Sequence, residues 1–248
     1  MFKYDVLTVG SATVDTFLTV ENSFSEIRLG DKILVKSIEK HSGGGATNAG
    51  AALAKLGLRV KALTKLGDDH DADFIIQELK KFKIKNVCVK RSKKNTDAAT
   101  VISSLKDKDR VIYVHKGAST DLGVKDFKTS ALNARWIYIA SLVGKSLSVA
   151  KYLAKYGEKR KTKILFNPSL YLAKKGKTYL KKILQNTTIL VLNKEEAQTL
   201  LKSSSKNTVV LLKELQSLGP EIVVITNGRK GFNALKDNVM YSTNKTPP

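Results

Sequence analysis

WIYIASLVGKSLSVAKYLAKYGEKRKTKILFN, residues Trp136 to Asn167, passes through three patterns in succession. Trp136–Ala140 is a short apolar run of strand character. Ser146–Tyr156 repeats its apolar residues three and four apart, as a helix does, and Lys163–Asn167 returns to a strand. A strand, a helix and a second strand in one short stretch make a crossover that lays the two strands parallel. The alternation continues downstream with helix Lys174–Leu184, strand Thr188–Leu192, helices Lys194–Leu201 and Val209–Leu218, and strand Ile222–Thr226. Such a series predicts an α/β fold: a mostly parallel central sheet with helices on both faces, a three-layer α/β/α sandwich.

Working back toward the N-terminus, Tyr4–Val9 reads as a first strand that stops at Gly10, and Thr16–Val20 and Ile33–Glu39 alternate as half-buried strands do. The triplet Gly43-Gly44-Gly45 opens a helix over Ala46–Leu56, closed by Gly57. Val60–Lys65 is expected as a strand and Asp71–Lys81 as a helix. Ala99–Leu105 and Val111–His115, joined by Asp107-Lys108-Asp109, read as a hairpin. The expected organisation is one domain over 1–248, with a small β-lid formed by about 12–42 and 97–116. Ligands of open parallel sheets sit at the carboxyl ends of the strands. Gly10, Asp15, Asn167, Asn193, Glu196 and the run from Thr226 to Gly231 all fall at such ends, which suggests an enzyme that handles phosphate.

Composition narrows the classes. At 42% apolar residues the chain can fill a core. No run of eighteen apolar residues occurs, so no membrane partner is expected, and the absence of a signal region predicts a cytoplasmic protein. Cys88, the single cysteine, sits in Val87-Cys88-Val89 as a small core hydrophobe. The formal charge is +22, but lysines greatly outnumber arginines and are spread along the chain. The clusters Lys151–Lys163 and Lys174–Lys182 fit solvated helix faces. That pattern argues against nucleic acid as the partner, since its readers favour arginine forks on a concentrated stripe. A weak reading as a nucleic-acid binder predicts steep salt dependence.

Common nucleotide signatures fail. Gly144-Lys145-Ser146 ends like a P-loop, but the glycine required five places earlier is Ile139, and Ser146 suits a modest helix cap. His41, His70 and His115 lack metal-ligand spacing. The stretch Gly43-Gly44-Gly45-Ala46-Thr47-Asn48-Ala49, followed by Gly57 and Gly67, is more informative, because glycines at a helix start leave backbone donors free and permit close approach.

This stretch resembles the first signature of the PfkB carbohydrate kinases, a ribokinase-like family, and the resemblance covers essentially the whole chain. It implies that Gly43 and Gly44 bring backbone amides to a sugar and that Asn48 bonds its hydroxyls. Gly50 departs from the family's usual Ser, Thr or Ala. Val9-Gly10-Ser11-Ala12-Thr13-Val14-Asp15 resembles the family's opening strand, whose aspartate grips two hydroxyls; Asp15 would otherwise be a turn cap. Asn193-Lys194-Glu195-Glu196 resembles the family's Asn-x-x-Glu element, with Glu196 serving magnesium through water, and it equally suits a helix capping box. Thr226-Asn227-Gly228-Arg229-Lys230-Gly231 resembles the family's nucleotide-contacting turn, so Thr226, Gly228 and Gly231 are expected at the nucleotide; a tight hairpin is the alternative. Asn167-Pro168 stands where many relatives carry Asp-Pro, and Gly117-Ala118-Ser119 is only loosely similar to a substrate-facing loop.

The resemblance implies a kinase that moves the γ-phosphate of ATP, or another nucleotide donor, with magnesium, onto a hydroxyl of a sugar or nucleoside, with a homodimer formed through the lid. The family's Gly-Ala-Gly-Asp stretch, which supplies the anion hole and catalytic base, has no counterpart up to Pro248. The expectation is therefore a C-terminally truncated member, about four-fifths of the family length, without a catalytic residue of its own, inactive alone, and exposing apolar sheet where final helices would pack. A non-catalytic sugar- or nucleoside-binding protein is the alternative.

Overall fold

Four consecutive buried residues, Val6–Val9 (β1), stand inside the main sheet, as a strand buried on both faces must. In the computed structural model, which describes residues 2–88 and 90–243, β1 pairs in parallel with Val60–Leu63 (β4) and with Trp136–Ile139 (β8). Val6 lies opposite both Val60 and Trp136. Beyond β8 the parallel series continues through Lys163–Phe166 (β9), Ile189–Asn193 (β10) and Ile222–Thr226 (β11). An antiparallel hairpin, Phe232–Lys236 (β12) and Val239–Thr243 (β13), closes that side, and a short strand, Lys85–Asn86 (β5), flanks β4. The nine-stranded order is β13-β12-β11-β10-β9-β8-β1-β4-β5.

The two faces of this sheet are covered unequally. On one, Leu7, Val9, Ile137, Ile139, Phe166 and Leu192 are sealed in a single core. The helices Leu147–Arg160 (α3), Gly176–Leu184 (α5), Lys194–Leu201 (α6) and Thr208–Gln216 (α7) pack on that side. On the other face, Gly45–Lys55 (α1) and His70–Lys81 (α2) cover the β1–β4–β5 end. Past α1 no helix follows among the described residues. Val6, Trp136, Tyr138, Leu165 and Ile189 form the floor of an open apolar groove of about 360 Å³, with Ala49, Ala52 and Leu53 of α1 as its wall.

Thr13–Val20 (β2), Val35–Gly43 (β3), Asp97–Ser104 (β6) and Asp109–His115 (β7) form a second sheet in the order β3-β2-β6-β7. Several boundaries differ from the sequence reading. The helix expected over Lys174–Leu184 is Gly176–Leu184 (α5), and a short helix not expected from the sequence, Ser169–Ala173 (α4), precedes it; Gly176, with φ 77°, turns the chain between the two. Strand β3 starts at Val35 and runs on to Gly43, through polar residues that the helical period does not claim. Ser146 is no side-chain cap: its hydroxyl donates to the Val143 carbonyl, 2.6 Å away. The lysines of the two basic clusters on α3 and α5 are exposed. Cys88 is half-buried against the core, and burial raises its thiol pKa; Val89 lies outside the described residues, as do 244–248 of the C-terminal stretch.

Candidate functional site

Close approach of backbone creates the first half of the site. Gly44 is the N-cap of α1 at φ 97° and ψ 156°, and has no side chain of its own to cap the helix. A Cβ on Gly44 would lie 2.5 Å from the Ser11 carbonyl oxygen, and one on Gly45 would lie 2.5 Å from the Ala140 Cβ. Only glycine lets the helix start sit this tightly on the ends of β1 and β8. The Ala46 amide donates to the Ser11 carbonyl (3.0 Å) and the Gly45 amide to the Ser11 hydroxyl (3.4 Å).

Asp15 occupies the same corner. A Cβ on Gly43 would fall 1.9 Å from its Oδ2, so the carboxylate lies directly on the Gly43 backbone, while Oδ1 accepts from the Thr13 hydroxyl at 2.7 Å. In register, Gly43 faces Thr13 and Asp15 faces His41. Asn48, in the first turn of α1, donates its amide to the Gly44 carbonyl at 2.9 Å and is exposed. Asp15, Gly43, Gly44 and Asn48 thus lie around one helix start, whose first two amides are held by Ser11 and whose dipole favours oxygen-rich ligands. Thr47 was not singled out from the sequence. Its hydroxyl donates back to the carbonyls of Gly43 and Gly44 and stiffens the turn, a role set by the helix geometry and not by any motif.

The second half lies along the same sheet edge, at the ends of β10 and β11. Asn193 and Glu196 form a complete capping box: Asn193 Oδ1 accepts from the Glu196 amide and Glu196 Oε2 from the Asn193 amide, each at 2.8 Å. Glu196 Oε1 takes no part in that box. Asn193 also pairs with Thr226 across the two strands. The turn after Thr226 is closed by the Asn227 amide on the Gly231 carbonyl at 2.8 Å. Gly228 has φ 52° and open space around it, with Arg229 and Lys230 exposed beside it. Gly231 has a packing reason of its own, since a Cβ there would meet the Thr243 carbonyl oxygen at 2.3 Å. Asn167 does not act as an isolated polar end: its side-chain amide donates to the Val191 carbonyl at 3.0 Å.

A buried acid missed by pattern reading ties the second sheet to this edge. Asp97, fully buried at the start of β6, accepts from the amides of Gly117 (3.1 Å) and Ser119 (2.9 Å) and from the Ser119 hydroxyl (2.5 Å). Asp69 plays a similar part at α2, where it caps Ala72 and accepts from Thr96; these hydrogen bonds hold its carboxyl below the usual range against the opposing effect of burial. Among the described residues, no group of three or more His, Cys, Asp or Glu side chains is placed to hold a metal ion directly. No helix among them is long and apolar enough to cross a membrane.

Comparison with known proteins identifies the family and the fold. The profile of the pfkB family carbohydrate kinase matches residues 3–247. A deoxyribokinase of Salmonella typhi is 26% identical over 166 residues, which are 66% of this chain and 53% of that protein, so the match spans about half of that relative's length. A ribokinase of Bacillus subtilis is 25% identical over 229 residues, 92% of this chain and 73% of the relative. The solved structure of Arabidopsis thaliana ribokinase complexed with ribose and ATP superposes with a TM-score of 0.78 at 19% identity, covering 97% of this chain and 78% of that one. Likeness of this kind establishes a ribokinase-like fold.

Proposed function

The chain belongs to the pfkB family of carbohydrate kinases, and on that footing we propose that it binds a sugar or nucleoside and presents one hydroxyl to the γ-phosphate of ATP. Asp15 accepts from neighbouring hydroxyls of the acceptor, Asn48 bonds a further one, and the backbone at Gly43 and Gly44 allows the ring to approach. Thr226, Gly228 and Gly231 border the nucleotide, with Arg229 and Lys230 supplying positive charge nearby. Asn193 and Glu196 serve magnesium through water. The donor set fits that indirect role, because each residue gives one atom to the capping box and no compact group of metal ligands surrounds them. Magnesium, when bound, neutralises phosphate charge as transfer proceeds.

The observation that carries this reading is the Asp15 carboxylate lying on Gly43 beside the glycine start of a helix. A thermal-shift panel of ribose, fructose, their phosphates and nucleosides tests it. At least one compound should raise the melting temperature of the wild type and fail to do so for Asp15→Ala. A panel with no response in either protein would remove the acceptor site.

The family's Gly-Ala-Gly-Asp stretch is not among these 248 residues; the second reading is a sugar- or nucleoside-binding protein without turnover. An anion-hole donor is worth about 10²–10³ in rate and a general base about 10²–10⁴. Phosphate transfer by the 248 residues should therefore be undetectable, and a C-terminal extension carrying that stretch should produce it. If the extended protein binds the acceptor and still transfers nothing, the second reading stands. Residence in the cytoplasm and a homodimer through the second sheet complete the proposal. The dimer is supported by the exposed Ile38 on β3 and by Ile112, Tyr113 and Val114 on β7, the two edge strands.

A further inference from the structure

The residues discussed so far gather at the carboxyl ends of the parallel strands. A separate hollow of about 510 Å³ opens at their opposite ends, where the chain enters β1, β8 and β9. Phe2, ahead of β1, forms one wall. A second is the 3₁₀ turn Thr129–Leu132 with Asn133, which leads into β8. The third is the end of α3, with Tyr156 and Arg160, followed by Thr162 at the entry to β9. A hollow of this size holds a small organic molecule.

Its walls are pinned by partners outside it. Arg59 Nη2 donates to the Phe2 carbonyl at 3.3 Å, and the same guanidinium is held by Asp5 at 3.0 and 3.1 Å. Lys61 Nζ donates to the Asn133 carbonyl at 2.9 Å, and the Thr129 and Tyr152 hydroxyls share a hydrogen bond of 2.9 Å. The remaining polar groups are unengaged. Thr162 is only 7% exposed, yet its hydroxyl lines the hollow and bonds no described residue. Buried polar groups are as a rule paired, so this hydroxyl asks for a partner that the fold itself does not supply. The Ser130 hydroxyl and the Arg160 guanidinium, on the same walls, also bond no described residue.

Charge decides the kind of partner. The segments that build the walls, 2–5, 125–135 and 155–163, carry nine lysines and arginines against three acids. Asp5 is taken by Arg59 and Arg135, at 3.0 and 3.9 Å, and Asp126 by Lys65 at 2.7 Å. Glu158 stands midway between Tyr156 and Arg160 in sequence and so about 200° around the helix from each. The carboxyl end of α3 contributes roughly half a negative charge, less than the full positive charge of Arg160. Tyr156, one turn before Arg160, feels that charge, which opposes the rise that burial gives its hydroxyl pKa. We propose that this hollow is a second ligand site, for a phosphoryl group held by the Arg160 fork and the Ser130 and Thr162 hydroxyls, with Phe2 and Tyr156 bordering whatever the phosphate carries. The assignment is independent of the acceptor corner at Asp15. Free phosphate and a phosphate ester share the recognised chemistry.

Calorimetric titration of the 248-residue chain with inorganic phosphate and with phenyl phosphate tests the site, on the wild type and on Arg160→Gln, Thr162→Val, Arg229→Gln and Lys213→Gln. At least one of the two compounds should bind the wild type. Tighter binding of phenyl phosphate identifies an ester as the ligand, and equal or tighter binding of the inorganic ion identifies free phosphate. Arg160→Gln should weaken the bound compound about tenfold or more, since it removes a charged fork. Thr162→Val should weaken it about threefold with no fall in melting temperature, because the hydroxyl has no partner in the fold to lose. Lys213→Gln, on the exposed side of α7, removes the same charge far from the hollow and should stay within about twofold. Absence of binding by either compound overturns the proposal. So does a Lys213→Gln loss as large as that of Arg160→Gln, which would reduce the matter to bulk charge. A loss confined to Arg229→Gln overturns it too, by placing the phosphate at the carboxyl ends of the strands.

Discussion

Lys61 lies in the middle of β4 with only 3% of its surface exposed. Its Nζ donates to the Asn133 carbonyl at 2.9 Å and sits 4.8 Å from the centre of the Tyr4 ring. Burial without a carboxylate partner lowers its pKa to about 8. An unfolded lysine titrates near 10.4, so between about pH 8 and that value the unfolded chain binds more protons and stability rises with pH. Below about pH 8 the full cost is present, of the order of 3 kcal/mol for the whole shift. Compared with Lys61→Met, the wild type should therefore gain about 2–3 kcal/mol between about pH 7 and about pH 10.5, read by urea unfolding; a flat or falling difference would refute the assignment. Residues of this kind also mark how far a sequence can be read. Asp15, the glycine triplet, Asn193 and Glu196 could be singled out because the family motifs they resemble are local in sequence. Ser11, Thr47 and Ala140 were not, because each matters only through a neighbour brought up by folding: Ser11 under the start of α1, Ala140 as the small residue against which Gly10 and Gly45 fit.

Among the elements, β6 depends most on a single side chain. Asp97 gathers three donors of the Gly117–Ser119 segment onto the base of the second sheet. Replacing it with alanine leaves buried donors without an acceptor, at a cost of about 2–4 kcal/mol. Asp97→Ala should lower the unfolding free energy by that amount, and amide exchange should accelerate along β6 and β7 well before it does in β1 and β8. Equal acceleration in both sheets would mean that Asp97 does not hold one against the other. The sequence reading found strands β1, β4, β8, β9, β10 and β11 of the main sheet and the helices α1–α3 and α5–α7, where period and burial agree. It lost accuracy where they part. The two-residue β5 is too short to carry a pattern, β3 is exposed over most of its length, and the α4–α5 break depends on one glycine in a left-handed conformation. The hairpin β12–β13 also lay beyond that reading, since Phe232–Lys236 alternates only weakly.

Across the whole molecule, the uneven dress of the main sheet is the property with the widest reach. One side is a closed core; the other leaves Trp136, Tyr138, Leu165 and Ile189 bordering an open apolar groove. Exposed apolar surface of this kind binds hydrophobic dyes. The folded chain should enhance anilinonaphthalene sulfonate fluorescence, and Leu53→Glu in the groove wall should cut the enhancement by more than half without loss of helical circular dichroism. An unchanged signal would place the dye elsewhere. The net charge of +22 opposes self-association through that face. The position of β1 has a consequence in time as well as in space. Val6 must wait for Trp136, 130 residues later (136 − 6), before its second flank is filled. At a synthesis rate of about 5–20 residues per second, that wait lasts roughly 6 to 26 seconds. Throughout it, the most apolar strand of the nascent polypeptide has a partner on one side alone, a window in which chaperone capture competes with folding on the ribosome.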